Sequence, residues 1–526
     1  MALLRAVSTV SGFTLISRLL GFARDILMAA ILGAGWVADC FIVAFKLPNF
    51  FRRLFAEGAF SASFVPLVSA RVEAGGDPDG GGLAAAGGFA EEALAMLLLV
   101  LLVVVGLAEL AMPVVMYGLA PGFVDEPRKY QLAIDLTRIT FPYLLFISLV
   151  SLLAGVLNSL GRFAAAAATP ILLNLCLIGV LLVLVPYTRT PAHALAWGVA
   201  GAGVVQFLWL IRACARAGVR LRLPWPRLTP GVRELLRLMA PGVVGAGAVQ
   251  INLVIDIVLA SLLPSGSLAY LFYADRLNQL PIGVVGVAVG TALLPLLARQ
   301  VKAGAERDAR ASQNRAIEIA LALTLPAAAA LIVVPGPILH VLFERGAFTP
   351  DKTHATAMAL AAYAAGLPAY VLIKVLGPGF FARKDMRTPV RFAIISLLVN
   401  TGLNIVLMIP LKHVGLALAT AMAAWLNAGL MASTLVRRGH LVIDARLRAR
   451  LPRLILAAGL MAVLVWGLAA LLAPWLAAGQ AMRIGALAAL VGTGVLGYLA
   501  AAVALGALRP GELVTAFRAR GPRNDA

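Results

Sequence analysis

Ionisable side chains recur inside stretches of this sequence that are otherwise apolar. Arg18, Arg24 and Asp25 sit within VSTVSGFTLISRLLGFARDILMAAILG (7–33). Asp39, Lys46, Arg52, Arg53 and Glu57 interrupt the next apolar run, and Asp275 and Arg276 interrupt AYLFYADRLNQLPIGV. At 100° per residue, Arg18 and Asp25 share a helix face and Arg24 lies about 120° from Arg18, so one broad polar sector holds all three. An arginine at the centre of a bilayer helix costs about 2.5–3.5 kcal/mol. Arg18, Arg24, Arg52 and Arg276 facing lipid together would cost on the order of 10 kcal/mol, so they must face a wet cavity or a partner. The planar guanidinium fork grips phosphate with two hydrogen bonds, and a surplus of such groups suits a phosphate or pyrophosphate. A purely structural reading stands beside it. Arg24–Asp25 and Asp275–Arg276 are also candidates for local ion pairs, and Arg52 and Arg53 for basic residues ending a short helix.

Other chemistries find no support. The five histidines (His193, His340, His354, His413, His440) are scattered, and Cys40, Cys176 and Cys214 stand at no ligand or disulfide spacing. No paired carboxylates or His/Asp cluster suggest a membrane enzyme, and no GxxxxGK[ST] loop suggests ATP. The bulk composition agrees. Of 526 residues, 61% are hydrophobic and 13% charged, against roughly 25% charged in soluble domains. So few charges cannot cover that much apolar surface in water, which leaves lipid as the solvent.

Fourteen apolar runs are long enough to span a bilayer: 7–33, 37–70, 90–118, 132–158, 164–186, 192–212, 234–262, 268–298, 314–342, 355–382, 389–410, 414–436, 453–475 and 483–507. The first continues as a long helix without a cleavage site and reads as an uncleaved span. The net charge of +20 follows loop parity. Loops after the sixth, eighth, tenth and twelfth runs are rich in arginine (Arg212 to Arg237, Arg299 to Arg315, Arg383 to Arg391, Arg437 to Arg453), whereas the opposite loops hold at most two basic residues each. Both ends are therefore expected in the cytoplasm, and the parity excludes nucleic acid as the reason for the charge. The Gly-rich acidic segment RVEAGGDPDGGG breaks the rule and reads as a flexible linker.

The sequence also repeats itself. PLVSARVEAG from Pro66 and PLLARQVKAG from Pro295 match at an offset of 229, FPYLLFISL from Phe141 parallels LPAYVLIKV from Leu367, and TPILLN from Thr169 parallels TPVRFA from Thr388. Six helices per repeat keep both copies in one orientation, the arrangement of parallel-repeat transporters that rock two halves about a midplane site. The expected fold is an all-α integral membrane protein of fourteen spans: an N-lobe (1–225), a C-lobe (226–440), two further helices (441–510) and a cytoplasmic tail (511–526).

SRLLGFARD (17–25), ADCFIVAFKLPNFFRRLFAEGAFSASFVP (38–66), YADRLNQLPIGVVGVAVGTALLP (273–295) and GPGFFARKDMRTPV (377–390) resemble the MurJ (MviN) family of lipid II flippases in the MOP exporter superfamily. The resemblance implies an alternating-access flippase of the bacterial inner membrane, not an enzyme. Its cargo would be the undecaprenyl-pyrophosphate-linked peptidoglycan precursor, and its surroundings membrane lipids. The family's cavity arginines map onto Arg18, Arg24, Arg52 and Arg276, and its acidic positions onto Asp25, Asp39 and Glu57. The last two helices resemble the pair that forms a groove for the lipid tail. Some members carry a sodium site, and a similar oxygen set is present in Asp256, Asn400, Asn404 and Thr420. The two asparagines also suit interhelical hydrogen bonding. Sodium, protons or the membrane potential would bias the cycle. Ala269 departs from a family serine. Another cargo within the superfamily, an oligosaccharide-lipid or a cationic drug, is the alternative, although a drug pump should carry surplus acids rather than arginines.

Overall fold

The computed structural model describes residues 2–53, 60–74 and 81–509. Among them the regular structure is helical throughout, and nine helices are long and apolar enough to cross a membrane. Their outer faces need an apolar solvent: Leu99, Val100, Leu102, Val103 and Leu107 are all exposed on Gly81–Leu110. Glu57, residues 75–80 of the Gly-rich linker and the tail 511–526 lie outside the described residues.

Several expected spans are broken, two of them at prolines. The run 132–158 divides into Pro127–Thr140 and Tyr143–Ser159 at Pro142, and 355–382 divides into Pro350–Ala365 and Leu367–Phe381 beside Pro368. A proline lacks the N–H that would continue the ladder. The run 268–298 is likewise two helices, Ser267–Pro281 and Val287–Lys302, joined by a π-helical stretch at Ile282–Gly286. The run 37–70 yields Trp36–Phe51 and Ser61–Ala74. The expected runs 389–410 and 414–436 are two helices within Arg387–Arg437, separated by a kink at Lys412, whose backbone (φ 51°, ψ −130°) is not helical. Gly415 permits that kink, because a Cβ there would stand 2.2 Å from the Leu407 carbonyl oxygen. The broken pairs at 127–159 and 350–381 fall at equivalent places in the two sequence repeats.

The chain forms two compact units, Met1–Ala269 with Arg345–Phe348, and Tyr270–Glu344 with Thr349–Ala526. The Pro230–Ser261 helix, expected to open the second lobe, belongs to the first unit, where it packs on Ser61–Ala74 and Gly81–Leu110. Arg345–Phe348 joins the same unit through the Ala347 N–H, which donates to Ala30 O at 2.7 Å.

In the second unit, Glu306–Val333 packs on Leu367–Phe381 around Leu321, Val371 and Phe380. It also packs on Ala445–Leu471, which pairs with Gln480–Ala504. The junction is ionic at one end. Glu318, 4% exposed, accepts hydrogen bonds from Arg315, Arg446 and Arg450, and Arg315 also donates to Asp444, the N-cap of Ala445–Leu471. Further along, the Tyr498 hydroxyl donates to Ala322 O at 2.7 Å.

Asp385 closes the Arg387–Arg437 stretch on itself. It accepts from the Thr388 N–H (3.0 Å), the Thr388 hydroxyl (2.6 Å) and Arg438 (2.6 Å). Preceding it, Lys384 takes φ 60°, so the chain turns sharply within ARKDMRTPV.

Two expectations follow. Glu318→Gln removes the charge that Arg315, Arg446 and Arg450 share, in a site where breaking a buried pair costs about 3–5 kcal/mol; hydrogen exchange should show Ala445–Leu471 loosening ahead of the first unit. The Thr388 hydroxyl and the Arg438 guanidinium hold the Asp385 carboxyl well below the usual carboxylate range. A depressed folded-state pKa contributes stability above the unfolded pKa and loses it as pH falls. The difference in Tm between wild type and Asp385→Asn should therefore be full at pH 7 and shrink below about pH 4.

Candidate functional site

The helix Ala2–Leu32 packs on Phe163–Val183, and this contact holds the first arginine. Arg24, 8% exposed, donates through Nε (3.0 Å) and Nη2 (2.6 Å) to one oxygen of Asp25, and through Nη1 (3.0 Å) to Asn174 Oδ1. Asn174 is oriented in turn by donating to Ser17 O at 3.0 Å. Gly21 allows the approach, since a Cβ there would already touch the Asn174 amide at 3.5 Å. The local Arg24–Asp25 pair foreseen as one alternative is thus present, with Asn174 as a third member that the sequence did not reveal. A guanidinium has five N–H groups; three engage Asp25 and Asn174, and two are left for an incoming acceptor. Arg18 is exposed one face away, and Arg52 Nε donates to Asn49 Oδ1 at 3.2 Å.

Asp39 has a different occupation from the one expected. It is 1% exposed, and its oxygens accept the backbone N–H groups of Gly266 (2.6 Å) and Ala269 (2.9 Å). It therefore caps the first turn of Ser267–Pro281, where a negative charge meets the positive end of the helix dipole. Lys129 Nζ lies 4.0 Å away, donates to Ser265 Oγ at 2.7 Å and sits 4.3 Å from the Phe123 ring centroid. Among the described residues no arginine joins this cluster. Lys129 is 2% exposed, although beside Arg128 it reads in the sequence as an ordinary loop charge.

In the second unit, Arg276 lies half-buried with its guanidinium 4.7 Å from the Phe272 ring centroid, one turn earlier. Asp275 accepts from Gln279. This unit holds a second cation that no sequence motif marks. Lys374 is exposed within the apolar helix Leu367–Phe381, and its stem crosses Gly286, where a Cβ would fall 2.8 Å from it. The oxygen set divides: Asp256 belongs to the first unit, whereas Asn400, Asn404 and Thr420 belong to the second. The asparagines are buried, and the Thr420 hydroxyl donates to Leu416 O at 2.9 Å. Among the described residues no three His, Cys, Asp or Glu side chains are grouped to hold a metal.

Helices that expose apolar faces, carry guanidinium groups in mid-sequence and recur in the same order define a polytopic membrane transporter. A family model described as lipid II flippase MurJ matches residues 28–486. A Rhizobium meliloti (strain 1021) protein, "Probable lipid II flippase MurJ", is 46% identical over 89% of this chain and 86% of its own length. The "Lipid II flippase MurJ" of Burkholderia cenocepacia is 38% identical, covering 84% and 85% of the two chains. The chain belongs to the lipid II flippase MurJ family, whose members are transporters rather than enzymes. A solved structure of a lipid II flippase MurJ in an inward closed conformation aligns with TM-score 0.77 at 25% identity, over 94% of this chain and 97% of that one. An inward-facing MATE multidrug transporter of the MOP superfamily shares the fold (TM-score 0.65, 15% identity, 83% and 98% coverage).

Removing the Asp39 carboxylate leaves the Gly266 and Ala269 amides without their acceptor, while the Lys129 ammonium keeps Ser265 and Glu126. Hydrogen bonds to charged groups contribute about 1.5–3 kcal/mol. Amide exchange at Gly266–Ala269 should therefore quicken roughly 10- to 100-fold in Asp39→Ala, with Asn174 and its neighbours unchanged.

Proposed function

We propose that this chain is a lipid II flippase of the bacterial inner membrane. It moves the undecaprenyl-pyrophosphate-linked precursor from the cytoplasmic to the periplasmic leaflet by alternating access, through fourteen spans with both ends in the cytoplasm. The observation that carries the reading is Arg24: a guanidinium buried within an apolar helix and pre-oriented by Asp25 and Asn174, in a chain of this family. Pre-orientation matters because a side chain already locked in position loses little entropy when the ligand arrives. The two N–H groups not engaged by Asp25 and Asn174 take phosphate oxygens.

Arg18, Arg52 and Arg276 add charge along the route of the headgroup, while the polyprenyl tail stays in the bilayer. Asp25 competes with the pyrophosphate for Arg24, so the anion is held without being trapped. Asp39 acts on a helix terminus rather than on an arginine, and its part in the cycle is to position Ser267–Pro281. The membrane potential, protons or sodium bias the direction of transport.

Arg24→Ala should abolish precursor translocation in a leaflet-accessibility assay while membrane abundance stays at the wild-type level. Asn174→Leu should weaken translocation less, because the charge remains and only its orientation is lost. Wild-type flipping by Arg24→Ala would remove this residue from the mechanism.

A further inference from the structure

A cavity of about 610 Å³ opens in the first unit where Tyr143–Ser159 ends, Phe163–Val183 begins and Pro191–Arg216 ends. Three arginines line it, Arg162, Arg212 and Arg216, together with Leu157, Phe163 and Trp209. No acidic residue is part of the lining. Arg162 Nη1 donates to the Arg216 carbonyl at 3.2 Å, and Trp209 Nε1 donates to Ala165 O at 3.2 Å. These bonds tie the wall together without neutralising it. The guanidinium groups of Arg212 and Arg216 make no ion pair or hydrogen bond among the described residues.

We infer that this cavity binds the phosphate headgroup of an anionic glycerophospholipid, separately from the precursor. Val205, Trp209, Arg212 and Arg216 follow at i+4, i+3 and i+4, so they lie along one face of Pro191–Arg216. Read from mid-helix to helix end, that face runs from exposed valine through an exposed tryptophan to two exposed arginines. A phospholipid has the same order: acyl chain, glycerol interface, phosphate. Tryptophan is favoured at the interface level, and basic pockets between helices on the cytoplasmic side take anionic headgroups. The first turn of Phe163–Val183 adds N–H donors, since Arg162 at its N-cap makes no side-chain capping bond. A free phosphate would use the arginines and leave the valine–tryptophan track unused.

The placement at the cytoplasmic interface rests on the topology proposed above. The test therefore follows both ligands on the same purified full-length protein. Phosphatidylglycerol and phosphatidylcholine are titrated into detergent-solubilised protein and retained lipid is counted by native mass spectrometry, with lipid II retention measured in parallel. Wild type should retain phosphatidylglycerol over phosphatidylcholine, and Arg212→Gln/Arg216→Gln should lose roughly 20-fold of that preference. Arg212→Lys/Arg216→Lys should keep most of it, and all three proteins should retain lipid II alike. An unchanged preference in the double glutamine variant overturns the site. Displacement of phosphatidylglycerol by millimolar inorganic phosphate overturns the lipid assignment. Failure of every variant and wild type to retain lipid II, with phosphatidylglycerol preference intact, overturns the flippase reading and spares this one.

Discussion

An ion withdrawn from water must be given its counter-groups by the protein, and that requirement shapes each unit of this molecule. Arg24 receives Asp25 and Asn174, Asp39 receives two backbone amides with Lys129 close by, and Glu318 receives three arginines. In each case at least one partner comes from a different helix, Asn174 for Arg24, Lys129 for Asp39 and Arg446 with Arg450 for Glu318, so satisfying the charge also ties helices together. Breaking a buried pair costs far more than a surface bridge contributes, and these three sites therefore act as ionic joints within otherwise apolar helix packing.

The joints differ in what they leave available. Glu318 is surrounded on several sides and ties Glu306–Val333 to Ala445–Leu471, a structural task. Asp39 spends both oxygens on a helix terminus. Arg24 alone combines deep burial with a fixed orientation and two N–H groups beyond those its partners use, which is why the proposed pyrophosphate contact centres on it rather than on Arg18, whose exposure gives it no defined pose. At the end of Pro191–Arg216, the arginines have no such counter-groups among the described residues, and an external anion is the economical way to supply them.

Proline and glycine mark several of the breaks. Pro142 and Pro368 interrupt equivalent spans in the two repeats, and Gly415 lets the Arg387–Arg437 stretch fold at Lys412. A hydropathy reading passes over the two proline breaks because the side chains on both flanks are equally apolar. The π-helical stretch at Ile282–Gly286 is hidden for the same reason.

Composition and loop charge were enough to establish a helical membrane chain, and the motifs around Arg24, Asp39 and Arg276 were enough to indicate the family, because the cost of charge in lipid makes each such residue conspicuous. Partnerships were not legible. Asn174 lies 150 residues from Arg24 in an ordinary apolar run, and Glu318 reads as one more charge near a basic loop. The Asp39 carboxylate meets backbone amides, which carry no residue identity for a sequence to display. Sequence determines which groups cannot be left in lipid; only the packing of distant helices decides which atoms answer them.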